Sequence, residues 1–213
     1  MQQGVFITFE GIDGSGKSLL QNMVAGWLEE QGYDVITTRE PGGSQLGQAL
    51  RQQLLESNFT SLDPYSETLL FLADRSRHVE EIIKPALDSG KIVLSDRFID
   101  STIAYQGGGR GLDINQLKTL NDFAIRGCKP DLTVYFYVSI AKALSRQDST
   151  KDRMEQENIS FFENVAAIYE DLANEEPKRI KRIDGSADRY QVLDLVKPVI
   201  SELLKTKEKP IVK

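Results

Sequence analysis

Gly11-Ile12-Asp13-Gly14-Ser15-Gly16-Lys17-Ser18 fits the spacing G-x-x-x-x-G-K-[ST] at every position. Glycines at these places let consecutive backbone N–H groups turn inward on phosphate oxygens, and a helix opening at Lys17 adds its positive end. Lys17 is long enough to reach β and γ phosphates, and a hydroxyl at Ser18 suits Mg²⁺. The pattern predicts a site for a nucleoside triphosphate. A second pair, Asp96-Arg97, closes the apolar run Ile92-Val93-Leu94. A carboxylate there can hold Mg²⁺ directly or through water, and the adjacent arginine suits a second anion in the same cleft. Glycine loops of this kind serve GTPases, transport ATPases and small-molecule kinases alike. No Asn is followed by Lys, so the guanine-reading N-K-x-D segment is missing, and Asp96 is followed by Arg where a transport ATPase carries Glu. A regulator that only switches shape has no use for a second phosphate site.

These residues need elements to position them. Gly4 to Glu10 reads as a buried strand, the glycine loop breaks it, and Leu20, Met23, Val24, Trp27 and Leu28 then recur on one face at the 3.6-residue period. Gly32 suits the end of that helix. Tyr33–Thr38 is a second strand, leading into Arg39-Glu40-Pro41-Gly42-Gly43, where proline and glycine forbid regular structure. Helices are expected from Ser44 to Ser57 and from Tyr65 to Ser89, the latter kinked or broken near Pro85. A third strand over Lys91–Ser95 puts Asp96 at its carboxyl end. A helix over 113–126, a strand over Asp131–Val138, a helix over Ser160–Ala173, a strand over Arg179–Asp184 and a helix over Arg189–Leu204 complete the pattern. Alternating strands and helices imply parallel βαβ units, an α/β fold with both sheet faces covered, and ligands at the strands' carboxyl ends.

Length and composition suit one domain over residues 1–213, with a mobile segment near 145–157 and a frayed lysine-rich tail near 205–213. The net charge of −6 argues against a general nucleic-acid partner. No apolar run approaches the ~20 residues a bilayer demands. One cysteine, Cys128, forbids an internal disulfide, and with no leader legible the expectation is a cytoplasmic protein with no membrane partner.

The segments Phe9-Glu10-Gly11, Arg39-Glu40-Pro41-Gly42-Gly43, Phe71-Leu72-Ala73-Asp74-Arg75, Asp96-Arg97-Phe98 through Ser101, Ala104-Tyr105-Gln106-Gly107 and Arg110-Gly111 together resemble the thymidylate kinase family. The resemblance implies a three-layer P-loop nucleoside monophosphate kinase fold, with a five-stranded parallel sheet and helices on both faces. It implies transfer from ATP to dTMP with Mg²⁺ in the dTTP pathway, by a homodimer. It further implies that Arg97 bridges donor and acceptor phosphates and that Arg39 lies near the acceptor phosphate. Phe71 would stack on thymine, Arg75 would hydrogen-bond a base oxygen, and Ser101 and Thr102 would lie near the base edge. Asp13 would contact the sugar 3′-hydroxyl and Arg97, and Tyr105 would pack below C2′ with Gln106 beside it. A phosphate monoester has its second pKa near ~6, so the acceptor is already ionised at neutral pH and no general base is required. The lone His78 is therefore expected in a surface or helix-packing role. Between residues 145 and 157 the pattern departs from bacterial relatives rich in arginine there, offering Arg146, Lys151 and Arg153, with Asp148 in place of a further arginine. A forked, permanently charged side chain favours an arginine for the transferring phosphoryl, with Arg153 expected first and Arg146 second.

Overall fold

The structure is a computed structural model and describes residues 4–55, 62–146 and 152–207. Ser57, at the expected end of the second helix, lies outside those residues, as do Asp148, Lys151 and the tail beyond residue 207. Five strands, β1 (Val5–Glu10), β2 (Val35–Arg39), β3 (Ile92–Asp96), β4 (Leu132–Tyr137) and β5 (Ile180–Asp184), form one parallel sheet in the order β2-β3-β1-β4-β5. The three inner strands are buried almost throughout, as near-continuous apolar runs in a sheet covered on both faces must be. Their pleat sends Val5, Ile7 and Phe9 into a core with Leu20, Val24 and Leu28 of helix α1 (Lys17–Glu30) and Val196 and Ile200 of helix α9 (Arg189–Lys207). Phe6 points the other way, into a core with Val79, Ile83 and Phe98. Glu10 shares that second face, where an acidic side chain needs polar company.

On the second face, α2 (Gln45–Leu55) and α3 (Pro64–His78) pack together, and Asp63 caps α3 by accepting the Tyr65 and Ser66 N–H groups. Pro85 cannot supply an N–H to the helix behind it. The chain answers with a wider π-helical turn over Val79–Ile83 before the short α4 (Lys84–Asp88) begins. Helices α6 (Ile114–Ile125), α7 (Ile140–Ser145) and α8 (Ile159–Glu175) complete this layer.

The stretch after Arg97 has no element in the sequence reading, yet it is helical. It runs as α5 (Ile99–Thr102) and then a π-helical segment over Ile103–Gly109. Ser, Thr, a β-branched Ile and three glycines are poor helix formers, so packing rather than propensity holds this segment. Phe161 of α8 lies where a Cβ on Gly109 would sit. The wide turn, with the Arg110 N–H donating to the Tyr105 carbonyl at 2.9 Å, faces Tyr105 and Gln106 toward the carboxyl ends of β1 and β3.

Candidate functional site

β1 feeds the chain directly into the glycine loop. Gly14 has φ +82°, and a Cβ on it would overlap the Ala143 carbonyl, so only glycine fits. Gly16, at φ +95°, caps α1 without a side-chain bond, which leaves the helix's first N–H groups free for an anion. The Ser15 hydroxyl is buried without a partner among the described residues. Lys17 is 6% exposed, and its Nζ donates to the Ile12 carbonyl at 3.2 Å and lies 3.5 Å from Asp13 Oδ1. Burial and the charge of Arg97 push its pKa down, against the opposing pull of Asp13, Asp96 and Glu10. The Ser18 hydroxyl donates to Asp96 Oδ2, while Asp96 Oδ1 is buried with no partner among the described residues.

Arg97 stands where the loop meets a second cavity. Its backbone is left-handed, φ +72°, which costs a non-glycine residue roughly 1 kcal/mol or more. The strain is held by two backbone bonds: the Arg97 N–H donates to the Phe9 carbonyl at 3.0 Å, and the Phe98 N–H donates to Glu10 Oε1 at 2.7 Å. Glu10 also accepts from the Ser101 hydroxyl at 2.6 Å and the Tyr169 hydroxyl at 2.8 Å. Burial and nearby Asp100 raise its pKa to about 7 despite these bonds and the charge of Arg97. The Arg97 guanidinium donates from Nη2 to Asp13 Oδ1 at 2.5 Å and from Nη1 to the Gly11 carbonyl and the Ser101 hydroxyl, each at 3.1 Å. It lies 4.7 Å above the Tyr105 ring, whose hydroxyl donates to Asp13 Oδ2 at 2.9 Å. Burial alone would raise the Asp13 pKa, but Arg97, Lys17 and the Tyr105 hydroxyl hold it far below the usual carboxylate range.

The second cavity brings together Asp13, Phe71, Arg75, Arg97, Ser101, Thr102, Tyr105 and Gln106. Arg75 is fixed in its wall. Nε and Nη2 meet Glu40 Oε2 at 2.8 and 2.7 Å, Nη1 donates to Thr102 at 2.6 Å and Asn121 at 2.5 Å, and Nη2 also reaches the Phe98 carbonyl at 2.8 Å. All its donors are thus engaged by protein, and what this conformation offers a ligand is a positive wall rather than a free N–H. Gln106 Nε2 donates to Glu67 Oε1 at 2.9 Å, leaving its carbonyl oxygen for the cavity.

Arg39 lies outside this cavity. It is exposed and lines the neighbouring hollow with Ser18, Asp96, Thr38 and Gly42. Arg146 follows α7 and donates to the Gly185 carbonyl at 3.0 Å, in a third hollow that runs along Gly14–Leu20 to Ala187 and Arg189. Arg153 is not brought there. Its Nη1 pairs with Glu67 Oε2 at 2.7 Å and its Nε donates to the Leu54 carbonyl at 2.8 Å, both on the Phe71 side. The physical reason is Glu67 itself, a fully buried carboxylate that needs cations.

Sequence reasoning did not place four further residues in the second cavity, Glu40, Leu55, Asp152 and Met154. Glu40 carried a signal: an acidic residue inside R-E-P-G-G with an arginine and the only histidine downstream. His78 Nδ1 lies 2.9 Å from Glu40 and Nε2 lies 2.6 Å from the Thr38 hydroxyl, which makes the histidine a buried packing residue. Beside them, the Asp74 carboxylate accepts the Gly42 N–H at 3.2 Å, and burial with nearby Glu40 raises its pKa to about 7, against Gly42, His78 and Arg75.

A parallel sheet, a phosphate loop at its carboxyl edge and an arginine shared between that loop and a separate cavity define a P-loop nucleoside monophosphate kinase. The thymidylate kinase family model matches residues 9–196. A thymidylate kinase of Halothermothrix orenii is 47% identical over 195 residues, covering 89% of this chain and 93% of the relative. One of Mycoplasma capricolum is 42% identical over 209 residues, covering 96% and 98%. The crystal structure of thymidylate kinase from Ehrlichia chaffeensis superposes with a TM-score of 0.78 at 38% identity, covering 92% of this chain and 98% of that one. The chain belongs to the thymidylate kinase family, whose members phosphorylate dTMP to dTDP.

Proposed function

We propose that the enzyme moves the γ-phosphoryl of ATP in line onto dTMP, with the donor on the glycine loop and the acceptor in the cavity of Phe71 and Tyr105, supplying dTDP for dTTP. The observation that carries this reading is Arg97. One guanidinium touches Asp13 and Gly11 of the loop and Ser101 and Tyr105 of the cavity, so an anion bound on either side meets the same positive charge. Two polyanions must approach each other, and cations with oriented N–H groups are what lower that barrier. The backbone N–H groups of Gly11–Ser18 with Lys17 would hold the donor phosphates, with Arg146 on the same side, and Arg39 would face the acceptor phosphate. Asp13 would receive the sugar 3′-hydroxyl. Phe71 would stack on the base, Ser101 and Thr102 would border its edge, Tyr105 would lie under C2′, and the Gln106 carbonyl would accept the base N3–H.

Mg²⁺ fits the residues present. The orphaned Asp96 Oδ1 and the adjacent Ser18 hydroxyl are hard oxygen donors at the loop, and substrate phosphates commonly complete such a shell. When bound there, the ion neutralises charge on the phosphate oxygens. Steady-state ADP release with dTMP, dUMP, dCMP, dGMP and dAMP tests the reading. Turnover is expected on dTMP well above the purine nucleotides, and a purine nucleotide preferred over dTMP would reject the acceptor assignment.

We also place the enzyme in the cytoplasm as a homodimer. No helix among the described residues is long and apolar enough to cross a membrane. Cys128 is half-buried, and burial with Asp131 and Asp88 pushes its thiol up to about 11, so it stays a protonated, unreactive thiol. Helices α3 and α6 pack together, and each leaves an apolar pair at helical spacing in solvent, Tyr65 with Leu69 and Leu120 with Phe123, the last 82% exposed. Such pairs on adjoining helices suit an isologous interface with a second copy. In sedimentation velocity, Phe123→Asp is expected to weaken dimerisation at least ~10-fold, as loss of a central aromatic anchor does. An unchanged sedimentation coefficient at low protein concentration would move the interface elsewhere.

A further inference from the structure

Glu67 has no exposed surface, yet its carboxylate joins three parts of the molecule. Oε1 accepts from Gln106 Nε2 at 2.9 Å and Arg110 Nε at 3.1 Å. Oε2 accepts from Arg110 Nη2 at 3.0 Å and forms an ion pair with Arg153 Nη1 at 2.7 Å. Arg110 in turn donates to Glu157 Oε1 at 2.5 Å and lies 4.9 Å above the Phe161 ring. Burial alone would raise the Glu67 pKa, but the bonds from Arg110 and Gln106 and the charges of Arg110 and Arg153 outweigh it and hold the carboxyl below its ordinary value. Glu67 is therefore an ionised group that can only accept.

That has a consequence for Gln106. A primary amide has one donor end and one acceptor end, and an acceptor-only partner decides which end it takes. The amide nitrogen goes to Glu67, so the carbonyl is turned toward the cavity of Phe71 and Tyr105. Resting on the reading of that cavity as the dTMP site, we propose that Glu67 is a positioning residue for base selection. By fixing the amide of Gln106 it makes the cavity select a pyrimidine with an N3–H donor. Thymine and uracil carry that donor. Cytosine presents an acceptor at N3 and would face the Gln106 carbonyl oxygen lone pair to lone pair.

Replacing Glu67 by glutamine keeps the side chain's size and removes the acceptor-only constraint, together with the charge that pairs Arg110 and Arg153. The introduced amide can donate to the Gln106 carbonyl and let the Gln106 amide nitrogen turn to the cavity, where it would accommodate cytosine. Glu67→Gln is expected to lower the ratio of kcat/KM for dTMP over dCMP at least ~10-fold, the scale of a mispaired polar contact. The exchange Glu67→Gln/Gln106→Glu restores an acceptor-only group at the cavity and is expected to recover the ratio, which general loosening of the structure would not do. An unchanged ratio in Glu67→Gln, or no recovery in the double variant, would overturn the proposal. A measurement on the unaltered protein covers the case in which a variant fails to fold. With dTMP labelled with ¹⁵N at N3, the bound imino proton is expected as a slowly exchanging resonance, and a rapidly exchanging one would overturn the proposal too. If the unaltered protein fails to turn over dTMP at all, it is the assignment of the cavity that falls, a result these ratios separate cleanly.

Discussion

Replacing Lys17 by methionine is expected to lower kcat for dTMP phosphorylation by at least ~10²-fold, comparable to losing one strong electrostatic donor in a transition state, while the protein stays folded. Lys17 is nearly buried, and its ammonium stands 3.5 Å from Asp13 and 3.2 Å from the Ile12 carbonyl, at the start of α1. A charge so placed meets developing negative charge on the transferring group with little water to weaken it. The fold does not depend on it: desolvation depresses the Lys17 pKa, so the charge is housed at a cost that a neutral methionine does not carry. Asp13 keeps Arg97 and the Tyr105 hydroxyl as partners. Steady-state kinetics beside a thermal melt check both halves. A folded variant with near-normal turnover would show that the loop does not hold the donor.

What was legible in the sequence follows from range. The glycine loop, the strand before it and the stripe of α1 are local, and each leaves a short pattern: three glycines with a lysine, an apolar run, a 3.6-residue period. The pair Asp96-Arg97 was legible as chemistry because it ends a strand in an α/β sheet, and the register Phe9 to Asp96 puts it beside the loop. The helical stretch over residues 99–109 was not, since Ser101, Thr102, Ile103 and three glycines argue locally against a helix that Phe161 and Tyr169 of α8 stabilise by packing. Glu67 was equally hidden. On sequence it is an acidic residue in the first turn of a helix, where acids are common, and only the fold brings residues 39 and 86 positions away to its two oxygens. The same carboxylate explains Arg153: charge and side-chain length favour it for the phosphoryl, but buried Glu67 competes for the guanidinium and holds it on the Phe71 side.

The largest loss is expected at Arg97. Where a single arginine stabilises a transferring phosphoryl it contributes ~10³ to 10⁵ in turnover, and here the site is shared with Lys17, so Arg97→Met is expected to cost roughly 10³ in kcat/KM. Part of any such loss could come from Asp13, which the substitution strands. Asp13 owes its depressed pKa chiefly to Arg97, and without that cation its charge is balanced only by Lys17 and the Tyr105 hydroxyl, so the single variant should also melt earlier. Adding Asp13→Asn removes the stranded charge. The double variant Arg97→Met/Asp13→Asn is expected to regain the melting temperature and none of the turnover, because the bridge between the two phosphates is still missing. Arg97→Lys separates charge from shape: it keeps a cation at the left-handed position but loses the fork that reaches the loop at Gly11 and Asp13 and the cavity at Ser101 and Tyr105 together, and it should recover at most ~10-fold. If the double variant regains turnover along with stability, Arg97 acts by neutralising Asp13 and not on the phosphates.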